Sequence, residues 1–166
     1  MNFKSVHRFR NVSLTDYEAT FFDEAFNIAL CKAVGLERTL VSRRVENGRV
    51  ARVSRIAPQR EIPAPVAKIL GAAKIEYTEN IEYEFGSGKA TWKTVSSVMT
   101  DKVESRGTIT FAQRGAEVER LVEGLVNVKM FGLGGVIEGF IVADVEKSYE
   151  TAAAFTQKWI DAGGKA

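Results

Sequence analysis

From Ile75 to Phe85 the chain alternates. Ile75, Tyr77, Ile81, Tyr83 and Phe85 fall on one face, and Lys74, Glu76, Thr78, Asn80, Glu82 and Glu84 fall on the other. A period of two belongs to an extended strand with one side in a core and the other in water. Such a strand is not stable alone. It needs neighbouring strands on its edges and a second layer over its apolar face. The rest of the chain must therefore supply more strands and something to cover them.

The strands are legible. Asn2 to Arg10 sets Phe3, Ser5, His7 and Phe9 on one face. The Asn47-Gly48 pair marks a tight hairpin between strands at Arg38 to Glu46 and Arg49 to Ala57, because both residue types tolerate positive φ. Further strands are expected at Ala90 to Met99, Val103 to Phe111 and Val118 to Val128, with glycine-containing or polar turns between them. Two short helices follow the first strand. Ser13 is placed to cap one, with Asp16 at the capping-box position, and the other starts near Asp23 and stops at Gly35. From about Met130 the period becomes helical, and Val136, Ile137, Phe140, Ile141, Val145, Tyr149, Ala152 and Thr156 share one broad face.

These elements predict an α+β fold in one domain, residues 1–166: a curled seven-stranded antiparallel sheet around a long C-terminal helix. A curled sheet and a straight helix leave room between them where flat packing would not.

Composition removes several functions. A net charge of +2 on 166 residues gives no general attraction to nucleic acid. One cysteine, Cys31, forbids an internal disulfide and any multi-cysteine metal site, and its apolar surroundings read as a small buried hydrophobe rather than a nucleophile. The single histidine, His7, has no evident triad partners. No cofactor is implied. There is no signal-peptide pattern and no apolar run of the ~20 residues that span a bilayer, so a cytoplasmic location is expected. Oligomeric state is not legible.

Three stretches resemble a known family. "SVHRF" carries His7 and Phe9 in the first strand, "IPAPVAKILGAAK" runs from Ile62 to Lys74, and "VIEGFIV" runs from Val136 to Val142, with "KWI" near the end of the last helix. Together with the element order, they resemble the START-like, Bet v 1-like (SRPBCC) superfamily with its helix-grip fold, and within it the PRELI-like phospholipid-transfer proteins and their bacterial relatives. The resemblance implies a lipid-sized cavity, a lid and exchange with membranes. It names no lipid and transfers no catalytic motif.

Residues 62–74 fit a lid physically. Pro63 and Pro65 discourage a regular helix at the start. Val66, Ile69 and Leu70 can then form one apolar turn with Lys68 beside them, and Gly71 supplies a hinge. The competing reading is an ordinary connection packed on the core.

The expected function is binding or carriage of a hydrophobic small molecule or lipid. Candidate wall residues are Phe9, Tyr77, Ile81, Tyr83, Trp92, Phe111, Val136, Ile137, Phe140 and Ile141; His7, Tyr77, Glu79 and Glu138 are candidates to orient a polar group; and Ile62, Val66, Lys68, Ile69 and Leu70 form the candidate lid. Glu79 sits alone among apolar residues on its face, so it is either a polar anchor or turned outward at a bulge. Arg38, Arg43, Arg44, Arg49, Arg52, Arg55 and Arg60 either pair with the glutamates of the 75–85 strand or present a basic face to anionic membrane lipid. Two alternatives stay open. One is an enzyme of the same fold using His7 or Glu79, and the other is an interaction module whose cavity has collapsed.

Overall fold

A computed structural model describes residues 1–164. The elements run β1 (Asn2–Arg10), α1 (Leu14–Phe22), α2 (Glu24–Ala33), β2 (Leu36–Glu46), β3 (Arg49–Pro58), α3 (Ala64–Leu70), β4 (Tyr77–Glu84), β5 (Lys89–Ser96), β6 (Val103–Arg114), β7 (Glu117–Val128) and α4 (Gly134–Asp161). The sheet is antiparallel with order β1-β7-β6-β5-β4-β3-β2. It is the curled α+β helix-grip arrangement read from the sequence.

The local signals act as expected at the short helices. Ser13 accepts from the Asp16 N–H at 3.1 Å, and Asp23 accepts from the Phe26 N–H at 2.6 Å, so each helix begins on a capped turn. The boundaries differ at several strand ends and in the segment before β4. β4 begins at Tyr77, which leaves Ile75 in the preceding extended loop, and β5 ends at Ser96, short of Met99. Residues 64–70 form a true helix, because Pro65 occupies the first turn, where a missing N–H costs nothing, and Gly71 closes the far end at φ 67°. The prolines start this helix rather than prevent it.

Hydrogen-bonded register fixes which side chains point inward. Val50, Arg52, Ser54 and Ile56 of β3 share the concave face with Tyr77, Glu79, Ile81 and Tyr83 of β4. The same face continues through Trp92, Gly107, Gly124 and Phe3. Gly107 and Gly124 face each other across β6 and β7, and Trp92 lies over both. A Cβ on Gly107 would fall 2.0 Å from the Glu123 carbonyl oxygen and 2.7 Å from the Trp92 ring. Only glycine lets the indole lie flat there.

The α4 helix packs closely against β1, β7 and α2. The β3–β5 side of the concave face is left further from it. Among the described residues no helix is long and apolar enough to cross a membrane.

Gly107→Ala is expected to destabilise the protein by about 1–3 kcal/mol, because the intruding methyl meets backbone that cannot rotate away. Urea unfolding of the variant against the parent chain measures this, and an unchanged midpoint would mean that the close approach of Trp92 is not a constraint.

Candidate functional site

The space between α4 and the far side of the sheet is a cavity of about 300 Å³. Its floor is Ile81, Trp92 and Ile109 of the sheet, its roof is Ile137, Ile141 and Val145 of α4, and α1 and α2 close one side with Tyr17, Phe21, Phe26 and Leu30. The roof residues recur at helical spacing, so one stripe of α4 faces the space.

Polar groups enter this apolar shell at defined points. Arg38 is held from outside by Glu24 through two hydrogen bonds of 2.9 and 3.3 Å, and Glu79 stands 3.9 Å from the same guanidinium. Arg60 donates to Asp144 at 3.1 Å and to Ser148 at 2.9 Å. Arg52 and Arg120 are buried more deeply, at 3 % and 4 % exposure. Arg52 donates to the Phe21 carbonyl at 3.2 Å, and its guanidinium lies over the Phe21 and Phe22 rings. Arg120 contacts His7 Nδ1 at 3.2 Å and lies over the Phe9 and Tyr149 rings. His7 Nε2 meets Glu150 at 3.0 Å. Because arginine only donates, His7 accepts at Nδ1 and carries its proton on Nε2.

Burial shapes the ionisation of the lining. It pushes the Cys31 thiol up to about 11, so at neutral pH the group is a thiol and not a thiolate. Burial also pushes the Tyr149 phenol up to about 12 and raises Tyr77, with Glu79 adding to the rise at Tyr77. Burial lowers Arg52, but arginine remains protonated in proteins.

Of the candidate wall, polar-anchor and lid residues, the cavity brings together Tyr77, Glu79, Ile81, Trp92, Ile137, Ile141 and Leu70. The others lie off it, each for a physical reason. Phe9, Tyr83 and Phe111 face inward, but α1 inserts aromatic rings in front of them: Tyr17 stacks on Phe9 at 5.1 Å and meets Phe111 at 5.1 Å, and Phe22 meets Tyr83 at 5.0 Å. The Tyr83 hydroxyl donates to Glu18. His7 sits behind Arg120, against α4. Val136 is 58 % exposed because the stripe of α4 runs through Ile137, one residue further round, and Phe140 packs on the core beside it. Glu138 accepts from the Val128 N–H at 2.8 Å and from the Met1 amino group at 2.9 Å, so it ties α4 to the sheet instead of facing the cavity. In α3, Val66 is buried, Ile62 and Ile69 pack on the core and Lys68 is exposed; only Leu70 reaches the lining.

Sequence reasoning missed Arg120 and Arg52 as lining residues. Arg120 had a usable signal, since β7 reads Val118, Arg120, Val122, Gly124, Val126, Val128 with one charge on its apolar face, the same pattern that drew attention to Glu79. Arg52 had none. In β3 both faces carry valine and arginine, so the parity of the strand is ambiguous.

The half-buried lining residues Pro58, Arg60, Ile75, Val98 and Val103 lie where β3 and β5 end and β4 and β6 begin, which is the end of the sheet beside α3. The hairpin turns occupy the opposite end, where Glu18 of α1 accepts from the Gly86 N–H at 2.9 Å. The cavity is therefore tightest at the α1 end and least covered at the α3 end.

Fold and cavity together define a helix-grip domain with an internal apolar cavity. The chain belongs to the family described as Protein of unknown function (DUF2505), which it matches over residues 6–160. A Thermus thermophilus protein, TTHA0849, superposes with a TM-score of 0.66 at 12% identity, over 99% of this chain and 100% of that one. Protein Ms6760 from Mycobacterium smegmatis gives 0.60 at 13% identity, over 95% and 88%. A START superfamily protein from Mycobacterium smegmatis gives 0.56 at 8% identity, over 96% and 97%. At these identities the likeness is one of fold. No curated protein matches the sequence.

Two outcomes follow from contacts along α4. Arg60→Ala removes the link between the segment before α3 and α4. Amide exchange in residues 59–70 should quicken by about two- to fivefold, the scale of a half-exposed ion pair, while the sheet amides stay unchanged. Glu138 is held below the usual carboxylate range by the Val128 N–H and then by the Met1 amino group. A depressed folded-state value adds stability above the carboxylate range and loses it as pH falls through that range. Glu138→Gln should therefore be less stable than the parent at pH 7, with the gap closing below about pH 4 in thermal unfolding.

Proposed function

We propose that this chain, acting as a single domain, binds a hydrophobic small molecule or a lipid in the cavity under α4 and carries it without catalysing a reaction. The observation behind this reading is the cavity itself. An apolar space of about 300 Å³, with a few polar groups at defined points, lies at the small end of the roughly 300–1,000 Å³ range of ligand pockets. That size favours one alkyl chain over a two-chain phospholipid. It thus favours a general hydrophobic carrier over the phospholipid cargo that a PRELI-like protein would hold.

The α3 helix is the lid in this reading. It covers the less enclosed end of the cavity through Leu70, is only seven residues long, and is tied to α4 by Arg60. A transient contact of the lid end with an anionic membrane surface would use the exposed Lys68 of α3.

Native mass spectrometry of the freshly purified chain, followed by organic extraction, tests the reading. A bound mass that extracts as one acyl or other hydrophobic molecule is expected. Thr94→Phe, which fills the cavity from the sheet side, should abolish that mass while keeping a cooperative thermal transition. A chain that carries nothing, and that takes up no fatty acid when challenged, is not a carrier.

A further inference from the structure

We propose that the ligand of this cavity is a single-chain amphiphile with one anionic head, a carboxylate or a phosphate, held by Arg52 and Arg120. The inference deepens the carrier reading and rests on it.

The lining has more donors than its own acceptors answer. Arg52 Nε, Arg120 Nε and Trp92 Nε1 are buried without a hydrogen-bond partner among the described residues, and all three residues line the cavity. Each is an N–H that only donates. The complementary group is therefore an acceptor, and a carboxylate or phosphate presents several lone pairs to converging donors. Charge points the same way. Glu24 and Glu79 stand against Arg38, and Asp144 stands against Arg60, but no carboxylate of the described residues forms an ion pair with Arg52 or Arg120. Glu79 stands near enough to Arg52 to favour its charge, and His7 contacts Arg120, but neither guanidinium is closed by a paired carboxylate of its own.

The geometry leaves the right edges free. Rings lie against each guanidinium, with the Arg52 carbon 5.5 and 5.2 Å from the Phe21 and Phe22 centroids and the Arg120 carbon 5.2 and 5.3 Å from those of Phe9 and Tyr149. Stacking fixes each plane and leaves the in-plane N–H groups to meet an anion edge-on. Both arginines contact α1: Arg52 lies over Phe21, and Arg120 adjoins Tyr17, one helical turn earlier. Arg52 stands beside Ile81 and Arg120 beside Phe111, on the side of the cavity that α1 covers. Leu70, Ile75, Val98 and Val103 are at the α3 end, so the ligand lies head inward with its tail toward the lid.

Three probes with the same saturated tail test this on the full chain: a fatty acid, an alkyl phosphate and the corresponding alcohol. At least one anion should bind about tenfold or more tightly than the alcohol, the scale of one charge-assisted hydrogen bond. The tighter anion identifies the head. Arg52→Met and Arg120→Met should each remove most of that preference while the alcohol still binds, and Arg114→Ala, at an exposed position off the cavity, should leave it intact. If all three probes bind equally, the anionic head is wrong and the carrier reading stands. If none binds, both fall. If the methionine variants do not fold, the three-probe comparison on the unmodified chain still decides.

Discussion

α4 closes only part of the sheet. It packs closely on β1, β7 and α2, and the curl of the sheet carries the β3–β5 side away from it. That incomplete contact creates the cavity, and the other elements are arranged around it. Trp92 lies flat on the Gly107–Gly124 pair and forms a floor rather than a plug. Tyr17 and Phe21 of α1 fill the space over Phe9 and Phe111 and stop the opening from running the full length of the sheet. Unpacked apolar volume is expensive, at roughly 24 cal/mol per Å³ of residual cavity. Several hundred cubic ångströms would cost several kcal/mol on that scale, a large share of the roughly 5–15 kcal/mol that holds a domain folded. A void of this size is more readily understood as a binding space than as a packing defect.

The electrostatics sharpen that distinction. A collapsed, purely structural interior would exclude Arg52 and Arg120 or pair them. Instead each is packed against aromatic rings, which compensate in part for lost hydration through cation–π attraction. Lysine could not take this place, because a compact, strongly hydrated ammonium neither stacks nor presents a planar edge. His7 belongs to the same arrangement at one remove. It accepts from Arg120 on one side and donates to Glu150 of α4 on the other, so it fixes the guanidinium from behind without touching the cavity.

The fold was legible because its signals are local and periodic. The alternation of Tyr77 to Tyr83, the Asn47-Gly48 turn and the stripe from Ile137 to Thr156 each state an element and its buried face. About half of the candidate wall was legible for the same reason, since residues on a buried face are either at the cavity or behind something else. Which of the two depends on α1, whose aromatic residues screen Phe9, Tyr83 and Phe111, and no periodicity within β1, β4 or β6 carries that information. The polar lining was harder. Glu79 stood out as a charge on an apolar face, and Arg120 is the same signal in β7, whereas Arg52 is hidden by a strand whose two faces read alike. Val136 and Ile137 differ only by the phase of one helix, which packing sets. Glu138 likewise turns toward the Val128 N–H because the start of α4 lies against the end of β7.

A head-inward ligand has to pass an apolar entrance, and the arrangement of arginines bears on how. Arg60 stands at the α3 end with its charge shared by Asp144, in a half-exposed pair that solvent screens and that costs little to open. Releasing it frees the segment before α3 and at the same moment offers a cation to an arriving anion. Further in stands Arg38, already answered by Glu24 and Glu79, so it does not compete strongly for the head. Arg52 and Arg120 are buried and form no carboxylate ion pair of their own among the described residues. The attraction therefore increases from the mouth to the α1 end, while the water that weakens it is progressively excluded. The same gradient leaves the tail against Leu70, Ile75 and Val98, where it completes the packing that α3 needs in order to close. In the proposed carrier, binding the head and closing the lid would be coupled through the ligand's length, with selection among tails at the lid and selection among heads at the two buried arginines.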